Sequence, residues 1–202
     1  YKKIKIKKSN IFFKDKLGER ISFIKVSNLF FFQDDERSQN FFKLNGNIFN
    51  TPFDLFYKKK LDSSKTEETT FTSKTLKLNM FNTYSNKKDD NEGKNIISFL
   101  NSKINTNYKI EDSIIKFDTI NSKINNTNID YKGKLLINPF ELDLNINIDN
   151  YDLRKMFDNN SILNELIRTE LLFNNNISMK ISINTTSNSI NSLYQNAKIN
   201  FN

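Results

Sequence analysis

The sequence contains neither cysteine nor histidine. Without cysteine there is no disulfide framework and no thiolate chemistry, so an oxidising compartment is neither required nor excluded. Without histidine the commonest general base and metal ligand is missing. The two absences together remove Ser-His-Asp and Cys-His catalytic arrangements and structural zinc. Glycine is scarce and scattered, at Gly18, Gly46, Gly93 and Gly133, which leaves no Gly-rich phosphate loop. Ala197 is the sole alanine. No run approaches the roughly 20 apolar residues of a membrane helix. Ile4 to Lys8 alternates with lysine and does not read as a signal-peptide core.

Carboxylates are the remaining acid–base chemistry. They cluster at Asp34, Asp35, Glu36 and at Asp89, Asp90, Glu92, both in stretches expected to be polar loops. The stretch from Asp89 to Gly93 lacks the alternating acids and distal glutamate of an EF-hand. No catalytic residue, metal ligand or cofactor is expected.

Asn, Lys, Ile and Phe dominate the 202 residues, and the net charge is +8. These are residues of AT-rich codons, so lysine serves partly as polar filler and the charge reads first as a solvated face, not a binding footprint. A hydrophobic content of 37% is below the roughly 45–50% of globular domains. It fits strands with one apolar face each and does not fit a doubly covered parallel sheet.

Period-two alternation, the mark of a half-buried strand, is the clearest signal. Phe140, Leu142, Leu144, Ile146 and Ile148 alternate with polar residues, and so do Ile177, Met179, Ile181 and Ile183. Leu76, Leu78, Met80 and the closing Ala197, Ile199, Phe201 repeat the pattern. Weaker runs lie at Ile4 and Ile6, at Phe23 to Val26, at Phe30 to Phe32, and at Ile115 with Phe117. Helical spacing occurs at Ile162, Leu163, Leu166, Ile167 and Leu171, with Ser161 as N-cap. Shorter helical turns are expected from Asp152 to Phe157 and through Ile96, Ile97, Leu100 and Ile104. Asp62 to Glu68 and Asn86 to Gly93 read as loops.

The two prolines share one context. Leu44-Asn45-Gly46 is followed after five residues by Pro52-Phe53-Asp54-Leu55; Tyr131-Lys132-Gly133 is followed after five by Pro139-Phe140-Glu141-Leu142. The copies are 87 residues apart. Apolar parity flips after each proline, which marks a turn or bulge. Each copy therefore reads as a strand, a Pro turn and a returning strand. The expected organisation is a first β unit over 1–85, a polar loop over 86–94 and a second β unit over 95–202 with a helix near 161–172. Tyr1 at the start and an alternating run at the end lead to the expectation of a piece of a longer repeat protein.

The segment from Ile129 to Phe157, IDYKGKLLINPFELDLNINIDNYDLRKMF, resembles the repeated element of AsmA-like proteins, a family that includes TamB-type and YhdP-type members. The shared pattern is a Gly strand, a short turn, a long alternating strand and a tail matched by Asp152, Leu153, Met156 and Phe157; Leu44 to Tyr57 is a shorter echo. The family's N-terminal membrane helix has no counterpart here. The resemblance implies a bacterial envelope protein, anchored in the inner membrane by a segment outside this sequence and exposed to the periplasm. It further implies a long curved sheet whose hydrophobic groove conducts phospholipid acyl chains between the membranes, with outer-membrane assembly proteins as further partners.

The sequence thus predicts a mainly β chain: a curved antiparallel sheet of hairpin repeats, groove-like or a half-barrel, with one or two short helices near 152–172. The expected lipid contacts are Phe140, Leu142, Leu144, Ile146 and Ile148, extended by Leu76, Leu78, Met80, Ile115, Phe117, Ile181 and Ile183. The competing readings are a non-catalytic structural or protein-interaction β-sandwich and a basic nucleic-acid binder. Against the latter, the phenylalanines are expected to face inward, although Lys58 to Lys60 cluster beside Tyr57.

Overall fold

A computed structural model describes residues 2–14, 18, 20–34, 36, 38–48, 50–61, 65–87, 90–137, 140–150, 178–186 and 196–201. Every regular element among the described residues is a strand. In chain order they are β1 (Lys2–Lys14), β2 (Arg20–Asp34), β3 (Gln39–Ile48), β4 (Thr51–Lys60), β5 (Thr66–Ser73), β6 (Leu78–Lys87) and β7 (Asp90–Phe99). Then follow β8 (Ser102–Glu111), β9 (Ile114–Thr119), β10 (Ser122–Ile124), β11 (Thr127–Leu136), β12 (Glu141–Asp149), β13 (Ser178–Thr186) and β14 (Asn196–Phe201).

All fourteen belong to one sheet, and their spatial order follows the chain. β9 and β10 lie end to end between β8 and β11, as one strand interrupted at Ile120 and Asn121. Pairing is antiparallel throughout except between β12 and β13, which run parallel with Leu144 opposite Ile181. Each of the two core clusters is built from consecutive strands of this one sheet, β1 to β5 and β8 to β13, so the described strands pack as a single layer.

Because directly opposed residues share a face, the register carries one face through the whole sheet. It runs from Ile4 and Ile6 through Val26, Leu44, Phe53, Phe71, Met80, Ile97, Ile104, Phe117, Tyr131 and Ile146 to Ile183. Each buried hydrophobic side chain among the described residues lies on it, in two clusters around Leu44 and around Ile148 and in Phe99. A flat single layer cannot bury its own face. The sheet curls with this face inside, bringing β5 and β12 to one groove.

Three glycines sit on the inner face, each directly opposite an aromatic residue: Gly46 opposite Phe53, Gly93 opposite Tyr108, and Gly133 opposite Phe117. A Cβ on Gly133 would meet the Asp143 carbonyl and stand 2.6 Å from the Phe117 ring. Glycine kinks covered by aromatic rings are a means of curving a sheet.

The structure changes several expectations. Asn86 and Lys87 belong to β6 and Asp90 to Lys94 to β7, with Lys87 opposite Asp90, so most of the polar loop expected over 86–94 is strand and the sheet continues across it. Ile96, Ile97, Leu100 and Ile104 form no helix: Ile97 and Ile104 face each other across the β7–β8 hairpin. Asp34 ends β2 rather than lying in a loop. Pro52 is not a turn residue; it is the second residue of β4, opposite Asn47. It precedes the stretch of β4 that pairs with β5, where its missing N–H costs no ladder bond, and its carbonyl accepts from Ser73 Oγ at 2.9 Å. The two hairpins also differ in register. Ile48 pairs Thr51 across a two-residue turn, whereas Leu136 pairs Glu141 across four residues, so Gly46 faces Phe53 but Gly133 faces Leu144. Pro139, the turn expected at Asp152 to Phe157 and the helix expected at Ile162 to Leu171 lie outside the described residues.

Candidate functional site

The concave face holds a groove of about 730 Å³ reaching from Glu67 on β5 to Ile146 on β12. Its volume falls in the range of about 300–1,000 Å³ typical of small-molecule sites. One wall is apolar. It is built by Ile115 and Phe117 on β9, Ile129 and Leu135 on β11, and Leu142, Leu144 and Ile146 on β12. Of these strands β12 is apolar at every second position, and the ladder aligns it with the apolar residues of the others: Leu135 faces both Ile115 and Leu142.

The other wall carries a polar row. Thr69, Asn82, Asn95, Thr106 and Thr119 are directly opposed on successive strands, β5 to β9. Four of them line the groove. Asn95 Oδ1 is buried there without a hydrogen-bond partner, an arrangement that costs stability unless something else satisfies it. Tyr108, also in the groove, has its pKa raised by burial, against the lowering effect of a hydrogen bond from Asn82.

At the β5 side the groove meets an ionic contact. Lys59 Nζ lies 2.7 Å from Glu67 Oε1. The Tyr57 hydroxyl donates to the same carboxylate, and burial first, then Glu67, raise the Tyr57 pKa to about 12.

A polar plug closes the gap between β9 and β10. Ser122, 1% exposed, accepts from Asn105 N at 2.8 Å and donates to Asn105 O at 3.0 Å, so its hydroxyl replaces ladder bonds that the interruption removes. Thr119 Oγ1 donates to Ser122 Oγ at 2.7 Å, and Tyr131 OH pairs with Thr106 Oγ1. Burial raises the Tyr131 pKa.

Ten of the expected contact residues share the concave face: Leu78 and Met80 on β6, Ile115 and Phe117 on β9, Leu142, Leu144, Ile146 and Ile148 on β12, and Ile181 and Ile183 on β13. Five of these line the groove: Ile115, Phe117, Leu142, Leu144 and Ile146. Ile148 and Ile183 are buried in the core beside it. Two depart from the expectation. Leu76 lies in the β5–β6 turn, where its N–H points to Ser73 Oγ at 3.4 Å, and Phe140 lies in the β11–β12 turn. In both places the alternating pattern runs past the end of the strand. The polar row escaped the sequence reading because its members are more than ten residues apart and meet only through the register.

The described residues include no cluster of acidic side chains able to hold a metal ion. The chain matches no family model, and no curated protein or solved structure matches it.

Proposed function

We propose that this chain is a segment of a lipid-handling β-groove protein, in which the concave face receives phospholipid acyl chains. The observation that carries the reading is the concave face of a single-layered sheet, with an apolar wall and a polar row lining one groove and no second layer among the described strands covering it. An apolar face must be covered by something, and each acyl methylene buried is worth about 0.8 kcal/mol. The apolar wall of β9, β11 and β12 takes the chains. The row from Thr69 to Thr106, with the unpartnered Asn95 acceptor, faces the polar end of the same amphiphile. The resemblance of Ile129 to Phe157 to AsmA-like proteins supports placing the segment in the periplasm of a bacterial envelope, tethered to the inner membrane from outside this sequence, with a role in outer-membrane lipid homeostasis.

The test is titration of delipidated protein with a fluorescent phospholipid. The reading predicts saturable binding that Leu144→Asp reduces at least tenfold while the fold persists. Absence of binding, or a Leu144→Asp variant that simply unfolds as a closed core would, returns the chain to the structural-module reading.

A further inference from the structure

The convex face is not uniformly polar. Phe12, Phe23, Phe30, Phe32, Phe41, Phe56 and Phe81 all lie on it, contrary to the expectation that the phenylalanines face inward. They are ordered by the register. Lys5, Phe30, Lys43 and Phe56 are directly opposed across β1 to β4, and the row continues through Thr70 to Phe81 and Ile96. The neighbouring row reads Lys3, Phe32, Phe41, Lys58, Glu68, Thr83, Lys94.

The rings touch one another and the ammonium groups. Phe32 and Phe41 have centroids 5.0 Å apart, and Phe41 and Phe56 6.1 Å. Lys3 Nζ stands 5.7 Å from the Phe32 centroid and Lys43 Nζ 5.8 Å from that of Phe56. Phe12 is 51% exposed, Phe81 42% and Ile96 36%. The groove uses none of these residues.

We propose that the convex face of β1 to β7 docks on the surface of a phospholipid bilayer that carries anionic lipids. Phenylalanine rings enter a bilayer surface just below the headgroups as the apolar side of an interfacial element, and lysines lay their stems on apolar surface while the ammonium reaches phosphate. Both are present here as a two-dimensional grid; Asp54, Glu68 and Glu92 share the face, but the lysines outnumber the carboxylates, which leaves it complementary to an anionic leaflet. Each lysine near such a surface contributes about 1 kcal/mol. A single-stranded nucleic acid fits less well: its binders combine stacking rings with a positively charged groove that tracks the backbone, and this face curves outward. The inference stands on the convex face alone and does not require the groove to hold lipid.

The test uses the full chain with vesicles of phosphatidylcholine alone or mixed with phosphatidylglycerol. Co-sedimentation is expected only with the anionic vesicles and is expected to weaken as salt rises. Lys3→Gln, Lys5→Gln and Lys43→Gln combined should lower the affinity by about fivefold per lysine, while the strand content read by circular dichroism is unchanged. The sequence has no tryptophan, so Phe81→Trp supplies a single reporter; its emission should shift to the blue on vesicle binding. Equal binding to neutral vesicles, an unshifted indole emission from the Phe81→Trp variant with vesicles bound, or retention of a single-stranded oligonucleotide in preference to vesicles would each overturn the proposal. Unaltered vesicle binding by the triple variant would do the same.

Discussion

Gly133 and Phe117 are opposed across β9 and β11, and the phenyl ring occupies the space where a side chain on Gly133 would begin. The Asp143 carbonyl closes the same space from β12. A backbone approach this close, beside an aromatic ring on the concave side, is how the curl is set at the groove's apolar wall.

Gly133→Ala is therefore expected to destabilise the protein by about 1–3 kcal/mol, the cost of overpacking. The ring can move but the carbonyl cannot, so Phe117→Leu should recover only part of the loss. Chemical denaturation of the single and double variants measures both values.

Ser122→Ala removes a hydroxyl that both accepts from and donates to the Asn105 backbone. A buried N–H loses its partner, at a cost of about 1–3 kcal/mol. Amide exchange at Asn105 should accelerate with it, and a change confined to Ser122 itself would show that the plug is not holding the β9–β10 gap.

Leu100 adopts φ 49° in the β7–β8 turn and is 39% exposed. The left-handed region is unfavourable for such a side chain by about 1–2 kcal/mol. Leu100→Gly is expected to raise stability by up to about 1 kcal/mol, since glycine's looser unfolded chain offsets part of the relief. Thermal denaturation provides the check.

Tyr57 has a folded-state pKa raised from 10.0 to about 12. A raised pKa means that the folded state holds the proton more tightly than the unfolded state. The stabilisation is fully present below pH 10 and is lost as the pH climbs through about 12. Tyr57→Phe should flatten this part of the stability profile, measured as the difference between the two proteins so that lysine titration cancels.

The strands of the apolar wall were legible in the sequence because Leu142 to Ile148 alternates without interruption, and the ladder then aligned that stretch with β11 and β13. The apparent helix at Ile97 and Ile104 shows why periodicity can mislead. Residues seven apart share a helix face, but they are also opposite each other across a hairpin with a two-residue turn. The two runs at Phe23 to Val26 and Phe30 to Phe32 are one strand. A register shift between Val26 and Asn28 offsets their parity, and Lys8 in the facing part of β1 has φ 49°. Consecutive phenylalanines such as Phe41 and Phe42 must point to opposite faces of a strand, so the aromatic convex surface was written in the sequence even though alternation alone assigned it inward. The parallel β12–β13 pair, the Ser122 plug and the polar row of Thr69, Asn82, Asn95 and Thr106 depend on register, which no single stretch of sequence encodes.

The central claim is that acyl chains lie on the concave face. A phospholipid bearing a photoreactive group on its acyl chain, irradiated with the protein and mapped by mass spectrometry, tests it most directly. Cross-links on Phe117, Leu135, Leu142, Leu144 or Ile146 are the predicted result; cross-links confined to convex residues such as Phe56 and Phe81, or none at all, would contradict it.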